Sequence, residues 1–330
     1  MSALQAQPDV TFVIAAYNAA ETIVAAIDSA LAQDDVSLEV VVIDDCSPDD
    51  TRSVVQAVAD RDPRVKLIAL DSNLGPGGAR NVGFDAAQGR WIAVLDSDDM
   101  VYSDRIAQMI MRAENANADI AIDNLDIVYS DGRPRETMFE PAFLEAKKFL
   151  TLEDFIRSNM LFKSTFNFGY IKPIFRRGFL NEHSLRFRQD LRIGEDYLLL
   201  ASALASGASC VIEPMPGYVY HIRQGSISRV LELHHVDAMI AADQEFLRQF
   251  TLLPAAMDAQ AERTRSLVQA RHFLLLVDSI KRRSVTDTIR IAIRDPAALK
   301  HLRMPISIRL QKLKNTFLPS ALSSATPARN

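Results

Sequence analysis

The sequence predicts an α/β fold with a mostly parallel central sheet and a helical C-terminal extension. Short runs of apolar, often β-branched residues alternate with segments of helical periodicity through the first 125 residues. Such runs are typical of parallel strands that helices cover on both faces. Three of the runs also end in polar clusters, and ligands of parallel sheets bind beyond the carboxyl ends of the strands. One crevice could therefore collect all three clusters.

The alternation defines the elements in chain order. Uninterrupted apolar runs predict strands at residues 10–15, 38–43, 65–70, 91–95 and 118–123. Apolar residues at helical spacing predict helices at residues 20–33, 49–59, 77–87 and 103–115. Pro48 and Asp49 are typical helix openers, and a glycine-rich turn precedes the third helix.

The stretch 91–99, WIAVLDSDD, joins a buried strand to three aspartates, Asp96, Asp98 and Asp99. Three carboxylates within four residues repel one another, and a divalent cation such as Mg²⁺ or Mn²⁺ would neutralise them. A helix N-cap is the alternative, but a cap for the helix at 103–115 would use only one carboxylate. The pattern therefore favours a metal site.

Composition narrows the function classes. The chain has 330 residues and a net charge of −5, which argues against a dedicated nucleic-acid binder. The glycine run at 75–78 follows the third strand instead of the first, which argues against a dinucleotide-binding fingerprint. Two cysteines, Cys46 and Cys210, give no disulfide framework, and the first residues show no leader pattern. A cytoplasmic location is therefore expected.

The charge is unevenly distributed along the chain. Residues 281–314 carry ten Lys or Arg against two Asp, a balance of +8, so the rest of the chain sums to −13. Apolar residues alternate with these basic residues. The pattern is compatible with a solvated helical pair or a dimer contact, and it favours a peripheral contact with an anionic membrane surface.

Six segments resemble, in order and spacing, the family-two inverting glycosyltransferases, which have the GT-A nucleotide-sugar-binding fold. Four of them lie within residues 10–99: VTFVIAAYN, VVIDDCSPDDT, GPGGARNVG and WIAVLDSDD. The other two are GEDY at 194–197 and YVYHIRQGSIS at 218–228. The resemblance spans about residues 8–230. A narrower resemblance is to glucosyltransferases of succinoglycan-type bacterial exopolysaccharide assembly.

The resemblance implies a donor nucleotide site at the first segments. Asp45 would accept a hydrogen bond from uracil N3–H, Ala15 and Tyr17 would lie beside the nucleotide, and Arg80 would lie near the nucleotide or its phosphates. Each has a plainer alternative that the sequence leaves open. Asp45 could form a turn before the second helix, Tyr17 could be a half-buried structural tyrosine, and Arg80 could be a surface arginine.

The resemblance also implies a metal and diphosphate site. Asp98 would be the direct ligand of Mg²⁺ or Mn²⁺, and Asp96 would lie near the ribose and the metal-bound waters. Asp99 would serve the following helix or support the other two aspartates. Arg223 suits a diphosphate, and His221 would contribute a metal contact or a phosphate hydrogen bond. An isolated histidine is as often structural.

Asp196 is the candidate catalytic base. In an inverting transfer the acceptor hydroxyl attacks C1 of the donor sugar, and one carboxylate must take its proton. Glu195 is adjacent and could exchange roles with Asp196. Alternatively, both acids simply open the helix expected at 197–205, where negative charge is favourable.

The function implied is transfer of a hexose, glucose from UDP-glucose, onto a lipid-linked glycan of a bacterial exopolysaccharide. The sequence carries no Q-x-x-R-W element, which argues for one sugar per encounter. Two alternatives remain at this point. One is a sugar-phosphate nucleotidyltransferase, although the glycine- and basic-rich loop expected after its first strand is absent. The other is a non-catalytic nucleotide-sugar-binding scaffold.

The expected organisation is a GT-A domain at residues 1–230 followed by helices. Its donor half would cover about 8–125 and its acceptor half 126–230. A helical C-terminal region at 231–318 would contain the membrane-associating segment. The polar tail at 319–330 is expected to be disordered.

Overall fold

The computed structural model describes residues 7–163, 167–222 and 231–300. The chain divides into two compact units, Met1–Thr264 and Arg265–Asn330, within a long helix. The first unit thus extends past residue 230, and the boundaries expected from the sequence stay predictions. The expected tail at 319–330 lies outside the described residues, as does the part of the basic segment beyond residue 300.

All five predicted strands are present, most of them within one residue of the expected bounds. Four further strands are short or follow the predicted region. The strands are β1 (Val10–Ala16), β2 (Leu38–Asp44), β3 (Val65–Ala69), β4 (Trp91–Val94), β5 (Met100–Val101), β6 (Ile120–Tyr129), β7 (Glu136–Thr137), β8 (Ile174–Arg176) and β9 (Cys210–Ile222).

The four predicted helices are also present, and the described part of the C-terminal region, up to residue 300, is largely helical as expected. The helices are α1 (Ile23–Leu31), α2 (Thr51–Ala59), α3 (Gly75–Ala86), α4 (Arg105–Asn115), α5 (Pro141–Lys147), α6 (Leu152–Ser158), α7 (Arg177–Glu182), α8 (Glu195–Ala205), α9 (Leu233–Gln249), α10 (Pro254–Lys281), α11 (Val285–Arg294) and α12 (Pro296–Lys300). α1 begins three residues later than expected, after a turn at residues 20–22, and Thr22 of this turn donates its hydroxyl to the carbonyl of Ser97 at 2.7 Å.

Within the described residues the nine strands form one sheet, in the order β3-β2-β1-β4-β8-β6-β9-β5, with β7 on β6. The pairs among β3, β2, β1 and β4 are parallel, as is the pair of β6 and β9. β8 lies between β4 and β6 and is antiparallel to both. β4 and β6 therefore run in the same direction, which confirms the mostly parallel sheet.

The antiparallel strand β8 has a consequence for the site. Because β8 runs against its neighbours, the residues that precede it lie at the edge where β4 ends, beside an inner part of β6. Lys172 is two residues before β8 and is carried to that edge. The sequence patterns did not indicate β8, since a three-residue strand is too short to show a period.

α3 packs closely on the first two strands. A Cβ atom at Gly83 would lie 2.3 Å from Val13 Cγ1 and 2.7 Å from Ile43 Cδ1, so only glycine permits this approach. β1 and β2 are buried almost throughout, as continuous apolar strands covered on both faces should be. This packing fixes the helix that carries Arg80.

The helices after the sheet divide between the two units. In the first unit, Asp243 on α9 accepts hydrogen bonds from Gln260 at 2.8 Å and from Arg263 at 2.9 Å. In the second unit, His272 lies 2.8 Å from Asp295. None of the described helices is both long enough and apolar enough to span a membrane.

Candidate active site

Asp45 ties the ends of β1 and β2 to the start of α3. Its backbone N–H donates to the carbonyl of Ala16 at 2.9 Å, and its Oδ1 accepts from the N–H of Leu74 at 2.6 Å. Burial raises the pKa of Asp45, against the hydrogen bonds from the amides of Leu74 and Gly75. A contact with a base would use the lone pairs that these amides leave.

Ala15 and Tyr17 lie at the same edge of the sheet. Ala15 is half-buried near the end of β1, opposite Ile43 of β2. Tyr17 follows β1 and is 53% exposed, so its ring can meet a ligand. The structure thus brings Ala15, Tyr17 and Asp45 to one edge, and their contacts with a nucleotide stay predictions.

Four side chains at this edge form a closed ring of ion pairs. The guanidinium of Arg80 donates to Asp96 Oδ1 at 2.7 Å and to Asp196 Oδ1 at 3.0 Å. The ammonium of Lys172 lies 2.9 Å from Asp96 Oδ2 and 2.8 Å from Asp196 Oδ2. Each carboxylate therefore has one oxygen on Arg80 and the other on Lys172. Glu195 lies 3.1 Å from Arg80, and we call these five residues the charge cluster.

Opposite charges shift the pKa values within the charge cluster. Burial opposes the charged forms of Arg80 and Lys172. The negative charges of Asp196 and Asp96 nevertheless raise the pKa of both cations well above the usual range. Burial also opposes the ionised form of Asp96, yet Lys172 and Arg80 hold its pKa well below its usual range. Arg80, Lys172 and Asp96 are therefore all charged at neutral pH.

Glu195 and Asp196 open α8 but differ in exposure. Gly194 precedes them with a φ of 92°, a conformation that glycine adopts without strain. Burial and the charge of Asp196 raise the pKa of Glu195 to about 7. The side chain of Glu195 is 10% exposed and that of Asp196 is 25% exposed. Asp196 is therefore the more accessible carboxylate of the two.

Asp99 joins the turn after β4 to β9. Its Oδ2 accepts from the hydroxyl of Tyr218 and its Oδ1 from the backbone N–H of His221, both at 2.8 Å. Burial raises the pKa of Asp99 to about 6. The N-cap position of α4 is occupied by Asp104. Of the two alternatives for Asp99, the structure thus favours a supporting role over a helix cap.

Of the two residues expected at the diphosphate, the structure describes His221 but not Arg223. The Nδ1 atom of His221 lies 3.7 Å from Asp99 Oδ1, and it is buried without a hydrogen-bond partner among the residues that the structure describes. Arg223 lies outside the described residues. The diphosphate contacts expected for both stay predictions.

Comparison with known proteins identifies the family. Residues 11–179, half of the chain, match glycosyl transferase family 2. The chain belongs to this family. It is 57% identical to the succinoglycan biosynthesis protein ExoO of Rhizobium meliloti, over 99% of this chain and 93% of the relative. These matches confirm that it is a glycosyltransferase, which decides against the nucleotidyltransferase and scaffold alternatives.

Further similarities concern an activity and the fold. The chain is 31% identical to the Escherichia coli UDP-Glc:alpha-D-GlcNAc-diphosphoundecaprenol beta-1,3-glucosyltransferase WfgD, over 66% of this chain and 79% of that protein. The structure of S. aureus TarS 1–349 in complex with UDP-GlcNAc superposes with a TM-score of 0.62 at 19% identity, covering 87% of this chain and 91% of the TarS 1–349 chain.

A second solved structure has a similar fold. The mannosyltransferase PcManGT from Pyrobaculum calidifontis, in complex with GDP-Man and Mn²⁺, superposes with a TM-score of 0.59 at 18% identity, covering 95% of this chain and 88% of that one. At these identities the likeness of both structures concerns the fold alone. Together with the family match, it confirms the expected GT-A fold.

The aspartates after β4 fit a divalent cation that a diphosphate helps to hold. In the described part of the chain, no three His, Cys, Asp or Glu side chains converge as metal ligands. Both oxygens of Asp96 contact Arg80 and Lys172, and Asp98 lies half-buried on the same turn, so the metal contacts expected of both stay predictions. Carboxylate, phosphate and water oxygens suit Mg²⁺ or Mn²⁺.

Two residues of the charge cluster differ from the sequence-based expectation. Arg80 is buried and is therefore not a surface arginine, and its guanidinium joins Asp96 to Asp196, while its expected contact with the nucleotide or its phosphates stays a prediction. Lys172 was not among the candidates. One signal could have found it, since Lys172 is the single charged residue in the otherwise apolar run 168–175, FGYIKPIF.

Proposed function

We propose that this family-2 glycosyltransferase moves glucose from UDP-glucose, with inversion, onto a lipid-linked glycan of bacterial exopolysaccharide biosynthesis, one sugar per encounter. The observation that carries the proposal is the sharing of Arg80 and Lys172 by Asp96 and Asp196. Asp96 of the proposed donor motif and the more exposed Asp196 thus share both of their cations, which supports the proposal. The similarity to ExoO supports the succinoglycan-type pathway, and the activity of WfgD supports the donor and the acceptor class.

Asp196 acts as the base in this proposal. A bond forms between the acceptor oxygen and C1 of the sugar, while the bond from C1 to the diphosphate oxygen breaks and its electron pair leaves with UDP. The proton of the acceptor hydroxyl passes to Asp196. A carboxylate has about four lone-pair sites, so the bonds to Arg80 and Lys172 leave room for that hydroxyl.

In the proposed donor site, Asp45 receives the uracil edge, with Ala15 and Tyr17 beside the base. Asp98 would hold Mg²⁺ or Mn²⁺, with Asp96 beside it, and His221 and Arg223 would face the diphosphate. A bound cation supplies charge stabilisation for the departing diphosphate. The solved neighbour in complex with GDP-Man and Mn²⁺ supports a divalent cation in this fold.

The test is a screen of UDP-sugars for UDP release, with Mg²⁺, Mn²⁺ or chelator, and with or without a membrane extract as the source of acceptor. We expect release from UDP-glucose that needs the cation and rises with the extract. Asp98→Ala should abolish the dependence on the cation together with turnover. Release of UDP from another sugar would correct the donor, and transfer at full rate in chelator would contradict the metal site.

The same proposal places the enzyme in the cytoplasm, peripheral to the inner face of the plasma membrane. Support comes from α11 in the second unit, whose aliphatic residues recur every four positions and remain exposed. Val285, Ile289 and Ile293 are 69%, 53% and 75% exposed. Arg290 and Arg294 are exposed on the flank of this apolar stripe. Such a helix suits an anionic lipid surface, where a lipid-linked acceptor would be found.

A further inference from the structure

Two buried residues, Arg105 and Asp123, fix the backbone of Lys172 on the side of the core. Arg105 on α4 forms two hydrogen bonds with Asp123 on β6, at 2.7 and 2.9 Å, and both side chains are fully buried. The same guanidinium also donates to the backbone carbonyl of Lys172. A Cβ atom at Gly217 would lie 2.5 Å from Asp123 Oδ2, so this position must be glycine for the pair to form. The backbone of Lys172 is therefore fixed by the core.

At its other end, Lys172 has two partners of different function. Its ammonium lies between the donor-motif carboxylate Asp96 and the candidate base Asp196, at 2.9 and 2.8 Å. The lysine side chain is 8% exposed, so water screens these ion pairs little. Arg80 makes the matching contacts on the opposite oxygens of both carboxylates. Two bridges restrict the rotation of each carboxylate where one bridge would act as a hinge.

Removal of the Lys172 charge would leave three carboxylates around the single guanidinium of Arg80. Asp96 and Asp196 would then repel each other without the second bridge, and Asp196 would be free to turn about its contact with Arg80. A base must lie within hydrogen-bond reach of the attacking hydroxyl, so such a rotation interrupts proton transfer. Donor binding depends less on this bridge, because Asp96 keeps Arg80.

We propose that Lys172 is a positioning residue of this glycosyltransferase, which fixes the distance and orientation of Asp196 relative to Asp96. The inference rests on the proposed role of Asp196 as base. It assigns to Lys172 a part in catalysis through Asp196, without contact between Lys172 and the reacting atoms. Arg105 and Asp123 contribute to the same positioning, because they fix the backbone from which the Lys172 side chain extends.

The test compares three variants with the wild-type enzyme. Lys172→Met keeps the length of the side chain and removes the charge, Lys172→Arg keeps the charge, and Lys66→Met is the matched control on β3. Lys66 pairs with Glu39 and lies outside the site. Transfer is measured as kcat, UDP affinity as Kd by calorimetry, and folding by circular dichroism.

We expect Lys172→Met to lower kcat by about 100-fold while the Kd for UDP changes less than about threefold, since a small misplacement of a catalytic group has effects of this order. Lys172→Arg should recover about tenfold of that loss, and Lys66→Met should match the wild type. If Lys172→Met does not fold, Lys172→Gln takes its place, because its amide can still donate to one carboxylate.

Three outcomes would overturn the proposal: an unchanged kcat in a folded Lys172→Met or Lys172→Gln enzyme, a parallel loss of UDP affinity, or no recovery with Lys172→Arg. The activity of the wild-type enzyme distinguishes a failure of this inference from a failure of the proposed function. No transfer by the wild type from any UDP-sugar would overturn the proposed function and this inference with it. Transfer by the wild type and by Lys172→Met alike would overturn the role of Lys172 alone.

Discussion

Two buried ionic groups of the first unit differ in their balance of charge. Arg105 and Asp123 form a pair of one cation and one carboxylate, joined by two hydrogen bonds and fully buried. The charge cluster has two cations and three carboxylates, and two of its carboxylates, Asp96 and Asp196, remain 23% and 25% exposed. The charges of the first group cancel within the pair, whereas the second has one more carboxyl group than cations and an open side.

The difference indicates that one ionic group stabilises the fold and the other can take part in binding or catalysis. A fully buried pair whose charges cancel has no capacity left for a ligand, so its contribution is to the fold. A cluster with more carboxyl groups than cations, open to solvent, can bind a cation or receive a proton. The two groups are also connected, because Arg105 holds the backbone of the cluster member Lys172. Variants should therefore separate a stability effect in one group from an activity effect in the other.

The largest effect is expected from breaking the complete pair. Arg105→Met leaves the Asp123 carboxylate buried without its cation, which should lower the free energy of unfolding by about 3–5 kcal/mol. Urea denaturation followed by circular dichroism measures this loss. The double variant Arg105→Met/Asp123→Leu should recover part of it, because an apolar pair in the same space has no unpaired charge. A single variant as stable as the wild type would show that the pair has no structural role.

In the charge cluster, Asp196→Asn should affect the reaction before the fold. Removal of the base should lower kcat for transfer by about 10²–10⁴-fold, the usual contribution of general base catalysis. UDP binding should persist, because Asp96 keeps both Arg80 and Lys172. Steady-state transfer assays and calorimetry with UDP measure the two quantities. Glu195→Gln is the neighbouring control and should retain more activity, and unchanged transfer by Asp196→Asn would sink the assignment of the base.

Glu195 should link stability to pH. Burial and the charge of Asp196 raise its pKa to about 7, above the ordinary value of 4.5, so the folded protein binds this proton more tightly than the unfolded chain. The contribution to stability is therefore complete below about pH 4.5 and is lost as the pH rises through 7. Glu195→Gln mimics the protonated form, so the difference in unfolding free energy between variant and wild type should grow by about 1–3 kcal/mol between pH 5 and 8.

The comparison between variant and wild type at each pH is needed because Asp99 titrates in the same direction. Burial raises the pKa of Asp99 to about 6. Asp99 is present in both the variant and the wild type, so its contribution cancels in the difference between them. Urea denaturation at intervals of pH measures the difference. A constant difference across this range would mean that Glu195 carries no proton in the native state at these pH values.

The two halves of the sheet also differ in how far the sequence predicts them. Up to β4 the sequence predicts the strands to within one residue and the helices to within three, because each strand is a continuous apolar run and each helix has a clear period. In the second half, β6 extends six residues past its predicted end, since Asp123 and Asn124 interrupt the apolar pattern although both are buried. Their partners lie in other elements, which a local pattern does not contain.

The candidate site shows the same limit. Asp45, Asp96 and Asp196 were identified through motifs, and the structure brings Asp96 and Asp196 into one cluster. The partners of these carboxylates were not identified, because Arg80 contacts Asp196 across 116 positions of the chain and Lys172 contacts it across 24. A charge that pairs at such separation gives no periodic signal. The one local signal is a lysine inside an apolar run. The antiparallel direction of β8 then determines the edge of the sheet at which that lysine lies.

The smallest effect is expected at the exposed charges of the second unit. Arg290 forms an ion pair with Asp287 at 2.9 Å on the solvent side of α11, so screening leaves this pair little to contribute to stability. The apolar stripe of α11 should instead contribute to membrane affinity. Ile289→Ser/Ile293→Ser should weaken binding to phosphatidylglycerol vesicles by about tenfold, as expected if a shallow contact buries only part of the two exposed isoleucines and contributes about 1.4 kcal/mol in total.

Sedimentation with vesicles of phosphatidylglycerol, and with neutral phosphatidylcholine as a reference, measures this affinity. Met111→Ser is the matched control, because Met111 on α4 is also 53% exposed and carries no such stripe. Transfer to a soluble acceptor should be equal in all three proteins. Vesicle binding by the double variant at the wild-type level would contradict the role of α11. A self-association that only the double variant loses, without vesicle binding by the wild type, would assign this face to a second copy of the chain.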